Sequence, residues 1–273
     1  MVFGFLSYRS ESSSMSRFLS KMKHMRYMFV VAALVGTVAT LSACAENAYR
    51  DPSLGIYDPL EEANRVTLKI NDAADKVVLE PIAKGYRAVT PDAARTVVSN
   101  FLRNLNSPII IGNELLQGDL KGAGNATARV VINTLAGFGG LLDLAEEGGI
   151  EYQPEDFGQT LAKWGVGNGM YVMLPLLGPS TLRDATGSLV DSYADPLRIY
   201  LFNIDEEHIH YTRLAAGAVS KREELIEVID DLRRNSFDYY AAIRSAYYQH
   251  RQALINDQAE GSGAADIPDY DDF

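Results

Sequence analysis

WGVGNGMYVMLPLLGPSTL, residues Trp164 to Leu182, runs for nineteen positions without a charge. That length approaches the roughly 20 apolar residues a membrane-spanning helix needs. Its contents oppose such a helix. Gly165, Gly167, Gly169, Pro175, Gly178 and Pro179 interrupt it repeatedly, and each glycine costs about 1 kcal/mol relative to alanine in a helix interior. Irregular backbone facing lipid tails leaves N–H and C=O groups unpaired, so it occurs at membrane depth only when covered by protein or lining a cavity. Two readings stay open: a glycine-rich loop inside a soluble core, or an irregular wall beside a bilayer. Trp164 and Tyr171 bracket the first half of the stretch, and such aromatics favour the headgroup level.

A second stretch has the same character. VVINTLAGFGGLL, from Val130 to Leu142, carries no charge, and Gly137, Gly139 and Gly140 interrupt it. Around these two stretches the chain reads as helices. Asp58 as cap, Pro59 at the first position and Glu61 three residues after the cap predict a helix start. Leu60, Ala63, Ile70, Ala74 and Val77 supply its apolar stripe, and Pro81 predicts an end by Glu80. Thr90 and Pro91 start the next helix, whose stripe of Ala94, Val97, Val98, Phe101, Leu102 and Leu105 stops at Ser107-Pro108. Both stripes read as core faces. Further helices are expected at Ile109–Leu116, Ala123–Leu135, Glu155–Trp164, Thr181–Tyr193, Thr212–Arg234 and Asp238–Ile255. Strict strand alternation is rare. The expectation is an all-α fold in a single domain.

The chain's one cysteine, Cys44, ends Leu41-Ser42-Ala43-Cys44. Ahead of it, Tyr27 to Leu41 is an uncharged 15-residue run that follows Lys21, Lys23 and Arg26. A basic region, a short apolar run and small residues at the cut describe a secretory signal. Leu-Ser-Ala-Cys resembles the bacterial lipobox, which implies a diacylglycerol on the Cys44 sulfur and an acyl chain on its amine. Residues 1–43 are thus expected to be a lipoprotein signal peptide, with Met15, Met22 or Met25 as alternative starts. Residues 44–57 read as a lipidated linker, 58–256 as the helical domain, and 257–273 as a disordered acidic tail.

Removing residues 1–43 takes away five basic residues and one acidic residue, leaving 20 basic and 35 acidic side chains and a formal net charge of −15. A chain that acidic repels nucleic acid and has no bulk attraction to anionic headgroups. With Cys44 acylated, no thiol remains for a disulfide, zinc or redox site. No G-x-S-x-G elbow or Walker A loop is present. His208 and His210 form an H-x-H pair beside Glu206 and Glu207, but without an obvious third ligand. No enzyme, cofactor or metal is expected.

At this point the residues resemble a family, MlaA (also called VacJ), the outer-membrane lipoproteins of a phospholipid-asymmetry system. The resemblance runs from about Tyr57 to Ile255. It rests on Asp58-Pro59-Leu60-Glu61 with Asn64-Arg65, Ser99-Asn100-Phe101, Leu116-Gln117-Gly118-Asp119, and Ile132-Asn133-Thr134 with Gly137, Gly139-Gly140 and Asp143. It continues through Asp156 to Leu161, Trp164 to Gly167, Gly169, Leu174-Pro175, Gly178 to Thr181, Arg183-Asp184, and Tyr240, Arg244, Tyr247, Gln249 and Arg251. Ile70 stands where the family often has Phe, and Met170 where it often has Pro.

The resemblance implies a ring-like helical domain in the periplasmic leaflet of the outer membrane, with a central amphipathic channel. Its partners would be phospholipids, a trimeric porin and a soluble periplasmic carrier (MlaC-like), and its role retrograde phospholipid transport. Asn133, Gly137, Gly139 and Gly140 would then form or hinge a channel hairpin. Trp164, Gly165, Gly167, Gly169 and Pro175 would form an embedded wall. Arg183 would meet a passing phosphate or pair internally with Asp184 or Asp191; Asp58, Asn64 and Asn71 would serve in caps and helix contacts. An envelope scaffold and a phospholipid-modifying enzyme are the rival readings.

Overall fold

The computed structural model describes residues 56–257; Cys44, the leader at 1–43, the linker as far as 55 and the tail from 258 lie outside the described residues. The fold already holds the chain at its first described residue. Ile56 is among the most buried side chains, and the Tyr57 carbonyl accepts from the Tyr171 N–H at 2.8 Å. Ile56 and Tyr57, expected in the linker, thus pack with the helical domain.

The described residues form eleven α-helices and one β-hairpin. Helix α1 spans Glu61–Ala74, continues through a π-turn at Asp75–Leu79 and passes into α2, Glu80–Val89. Pro81 does not end it. The wider turn removes the conflict between a proline ring and the carbonyl four residues back, and the Glu80 N–H donates to the Asp75 carbonyl five residues earlier. Asp58 does not cap α1, because its carboxylate instead accepts from Asn64, Tyr240 and Arg244.

Helix α3 covers Asp92–Gln117 and runs straight through Ser107-Pro108, so the expected stop there and the separate helix at 109–116 are one helix. A proline inside a helix costs about 3 kcal/mol, and here burial of Ser107, Ile110, Asn113 and Glu114 around it offsets that cost. Thr90 does not cap α3 either; its N–H closes α2 on the Tyr86 carbonyl, and Pro91 takes the cap position. Gly118, at φ +83°, ends α3. Helix α4 (Leu120–Leu135) packs back along α3, with the Asp119 carboxylate accepting from the N–H groups of Lys121 and Gly122.

A short α5 (Leu144–Glu147) and α6 (Phe157–Lys163) follow, capped by Asp143 and Asp156. Strands β1 (Tyr171–Leu174) and β2 (Gly178–Thr181) pair antiparallel, Tyr171 opposite Thr181. Thr181 then caps α7 (Leu182–Ala194), and α8 (Pro196–Asn203) follows. Helices α6 and α7 cross where Gly187 meets Gly158: a Cβ on Gly187 would lie 2.3 Å from the Gly158 nitrogen.

The expected helix over 212–234 is two helices, α9 (Glu207–Glu224) and α10 (Ile226–Asn235), divided at Leu225. The Arg87 guanidinium donates to the Glu223 carbonyl at 2.7 Å, satisfying a C=O at the end of α9. Asp238 caps α11, Tyr239–Ile255. The apolar core is small: Ile56, Leu68, Tyr171, Met173 and Tyr240, with Tyr239, Ile243, Tyr247 and Tyr248 packed against it. Among the described residues no helix is long and apolar enough to cross a membrane.

Candidate functional site

The stretch from Trp164 to Leu182 folds as the hairpin, and two asparagines of α1 hold it there. The Asn64 amide donates to the Tyr171 carbonyl at 3.1 Å and accepts from the Met173 N–H at 2.9 Å. One heptad on, the Asn71 amide donates to the Leu174 carbonyl at 2.9 Å and accepts from the Leu176 N–H at 2.8 Å. A side-chain amide carries the same donor and acceptor as a peptide, so the helix face stands in for a neighbouring strand. Beneath it Tyr171 is fully buried, its ring 6.1 Å from those of Tyr240 and Tyr247. Pro175, Leu176 and Leu177 make the exposed turn, with Leu176 at φ +62°. Trp164 lies at the other end, half exposed, donating to the Leu116 carbonyl at 3.0 Å. Gly165 and Gly169 adopt positive φ, while a Cβ on Gly167 would meet nothing.

Arg183 does not open to solvent. It is 3 % exposed, and its Nε donates to Asp184 Oδ1 at 2.9 Å, so the pair with Asp184 occupies it. Asp184 also accepts from Arg251 at 3.0 Å and Tyr247 at 2.6 Å. Burial works against its charge, but the Arg251 and Arg183 guanidiniums hold its carboxyl below the usual value.

The stretch after Val130 is built differently. Asn133 is a buried brace, its amide donating to Asp143 at 2.8 Å and accepting from the Ala145 N–H at 3.0 Å. The Arg129 guanidinium completes that post by pairing with Asp143 at 2.5 Å and Glu146 at 2.9 Å. Past Asn133 the chain turns outward. Gly139 and Gly140 take φ +77° and +93°, Phe138 between Gly137 and Gly139 takes +55°, and Phe138 is 76 % exposed. Gly137 is wedged against the Leu142 carbonyl, and Gly140 against the Asn104 side chain. Backbone bonds close this turn, the Gly140 N–H donating to the Asn133 carbonyl at 2.7 Å and the Gly139 N–H to the Thr134 carbonyl at 3.0 Å. From α3, Asn104 donates to Thr134 at 3.0 Å and to the Gly139 carbonyl at 3.4 Å, and Asn100 to the Leu141 carbonyl at 3.4 Å.

The polarity of the described residues is inverted relative to a soluble domain. Thirteen apolar residues are buried, against 21 polar or charged ones, and 29 large apolar side chains are exposed. The stripes that read as core faces lie outward or only half covered: Leu60, Ile70 and Val77 are exposed, while α1 buries Asn64 and Leu68. Many of the buried and half-buried charged groups are paired with one another. Arg222 grips Asp75 with two bonds at 2.8 and 2.9 Å, and Arg233 bonds Asp72, Asp75 and Glu80. Scattered exposed leucines are ordinary, but apolar surface on this scale marks contact with a partner or a membrane.

Two further carboxylates escaped the sequence reading. Glu114, on α3, and Glu155, ahead of α6, are both buried. Burial pushes Glu114 up to about 7 and Glu155 up to about 8. Glu155 accepts from Gln117 at 2.6 Å, and Glu114 lies over Gly122, where a Cβ would come 2.3 Å from its carboxylate. Nothing in their local sequence marks them, since burial comes from the packing of α4 and α6 on α3. His208 and His210 do not act together: His208 is exposed beside Glu206, and His210 is buried against Phe202 and Tyr211. No group of three potential metal ligands gathers among the described residues.

A family model described as MlaA lipoprotein matches residues 56–254. The "Intermembrane phospholipid transport system lipoprotein MlaA" of Escherichia coli is 32% identical over 230 residues, covering 83% of this chain and 88% of that protein. Its namesake in Haemophilus influenzae is 32% identical over 250 residues, covering 90% and 97%. An uncharacterised protein of Rickettsia prowazekii is 35% identical over 203 residues, covering 74% and 79%. A solved chain reported under "Structural basis for maintenance of bacterial outer membrane lipid asymmetry" superposes with a TM-score of 0.64 at 34% identity. It covers 73% of this chain and 99% of its own.

Proposed function

This chain belongs to the MlaA lipoprotein family, and from that premise we propose that it removes phospholipids mislocalised to the outer leaflet of the outer membrane. They pass from it to a soluble periplasmic carrier for return to the inner membrane, which maintains lipid asymmetry. The observation that carries this reading is the inverted polarity: a paired polar interior under an apolar exterior suits a body seated in lipid. In water that exterior would cost about 25 cal/mol per Å² of apolar area. Within a leaflet the cost vanishes.

The chemistry asked of such a protein is a route, with no covalent step. Each CH₂ drawn into water costs about 0.8 kcal/mol, so unaided desorption of a two-chain lipid is slow. A ring-like body with an amphipathic channel keeps the tails in apolar contact while the headgroup stays hydrated. The turn from Asn133 to Gly140 gates that channel in this reading, and the stretch from Trp164 to Pro175 supports its wall. Cys44 carries the diacylglycerol and N-acyl chain that hold the body at the periplasmic leaflet, and a trimeric porin sits beside it.

Deletion of the gene, followed by measurement of surface-exposed phospholipid, tests the proposal. Exposed phospholipid should rise, and wild type but not Cys44→Ser should restore it. An unchanged outer leaflet with altered cell shape would instead favour the envelope scaffold. Release of fatty acid by the purified chain would favour a lipid-modifying enzyme.

A further inference from the structure

Tyr193, at the end of α7, and Phe202, at the end of α8, enclose the guanidinium of Arg198, whose central carbon lies 4.7 Å from the first ring centroid and 4.5 Å from the second. Ten of the described arginines pair with a carboxylate. Arg198 is half-buried, yet among the described residues no carboxylate lies within ion-pair distance of it. Its near acid, Asp195, is committed elsewhere: buried, it accepts from the Leu197 N–H at 2.9 Å and from Arg213. Arg198 is thus a cation held by rings and, among the described residues, without a carboxylate partner.

The surface around it is apolar and aromatic. Ile199, Tyr200, Ile204 and Tyr211 are all exposed, and Tyr211 packs its ring 6.2 Å from that of Phe202. Tyrosines with an apolar body and a polar tip settle at the headgroup level of a bilayer, and arginine stems lie along such surface with the charge at the boundary. Stacking on aromatic rings uses the faces of the guanidinium plane and leaves the N–H donors on its edge for an anion. A phosphodiester offers two anionic oxygens that match this fork.

Resting on the phospholipid-transport reading, we propose that Arg198, stacked between Tyr193 and Phe202, is a docking site for the phosphate of a phospholipid headgroup. It holds a lipid by its head while the neighbouring isoleucines receive the upper part of the tails. The site lies on α7 and α8, apart in sequence from both glycine-rich stretches.

The test uses the full-length chain purified from membranes in a phosphate-free detergent. It is titrated with short-chain phosphatidylglycerol, with the matching diacylglycerol lacking phosphate, and with inorganic phosphate, reading Kd from the ligand-dependent rise in Tm. Arg198→Gln should weaken phosphatidylglycerol about fivefold or more, the loss of one charge-assisted pair. Arg198→Lys should recover part of that, and diacylglycerol binding should not change. The unliganded Tm of both variants should match wild type, which separates a lost contact from a damaged fold. Equal affinity of wild type and Arg198→Gln for phosphatidylglycerol overturns the site and leaves the transport proposal standing. Inorganic phosphate binding as tightly as the lipid overturns the headgroup assignment. A wild-type chain that binds no phosphatidylglycerol overturns the site as well, while the gene-deletion measurement decides transport independently.

Discussion

Two uncharged, glycine-rich stretches read alike in the sequence and fold in opposite ways. From Trp164 to Leu182 the chain becomes a hairpin clamped by Asn64 and Asn71 over a buried Tyr171. From Val130 to Leu142 it becomes a helix end and an exposed turn with three consecutive positive-φ residues, Phe138, Gly139 and Gly140. The first is fastened by four short bonds from one helix. The second closes mainly on itself, the Gly140 N–H bonding the Asn133 carbonyl at 2.7 Å and the Leu142 N–H the Gly137 carbonyl at 3.0 Å, while α3 reaches its backbone only at 3.4 Å. Glycine content alone thus does not fix how a stretch is held. What differs is whether a distant helix or the turn itself supplies the short bonds to the freed backbone.

The comparison breaks most visibly at Asn64. Asn64→Ala strands the Tyr171 carbonyl and the Met173 N–H in a buried place and leaves the Asp58 carboxylate to Tyr240 and Arg244, at about 3 kcal/mol together. Thermal unfolding should show Tm lower by about 6–12 °C for a domain of this size, and Asn71→Ala, nearer the surface, should cost about half as much. An Asn64→Ala chain as stable as wild type would mean the hairpin needs no clamp. For the outward turn the expected effect is functional first. Gly139→Val and Gly140→Val force a branched side chain into a left-handed conformation at about 1–2 kcal/mol, and Gly140→Val also meets Asn104. Both should keep near-normal abundance yet fail to clear surface phospholipid from the deletion strain. Full rescue by both would make the turn as passive as the hairpin.

The smallest effect belongs to Glu114 and Glu155, which lie on either side of the outward turn in sequence. Burial raises both carboxyls, so the folded state keeps protons that the unfolded chain releases above about 4.5. Stability should therefore decline as pH rises from about 4.5 through about 7 for Glu114 and about 8 for Glu155. Glu155→Gln keeps an acceptor for Gln117 and removes the charge. It should raise Tm at pH 8 by about 2–6 °C while leaving Tm at pH 5 unchanged. A pH-independent shift would assign the gain to packing instead.

The sequence carried the helices wherever a cap and its helix agree locally. Thr181, Asp156 and Asp238 each accept from N–H groups in the first turn that follows, as their positions suggest. It misled wherever a distant partner overrides the local signal. Asp58 abandons the cap position for Tyr240 and Arg244, 182 and 186 residues away. Pro81 and Pro108 look like stops, but a π-turn absorbs one and the burial around α3 outweighs the other. The hairpin was hidden because β2 is Gly-Pro-Ser-Thr, poor strand residues, and because its support comes from a helix more than 100 residues earlier. The stripe of Leu60, Ile70 and Val77 is periodic yet faces outward, while that of Val97, Val98, Leu102 and Leu105 is half-buried; period alone cannot tell a core from an exposed apolar face.

The π-turn at Asp75–Leu79 also sets the phase of everything that follows it on the same rod. It holds one residue more than a regular turn, so Asp72, Asp75 and Glu80 share Arg233, while Val77 and Val78 remain outside. Deleting one residue there would turn the wide turn into a regular one and leave α2 near its present phase, whereas deleting one from the regular helix Glu61–Ala74 would rotate everything beyond it by about 100°. That second deletion would carry Glu80 away from Arg233 and Arg87 away from Glu223. The turn is thus the place on this rod where a residue can be lost or gained without turning the faces beyond it.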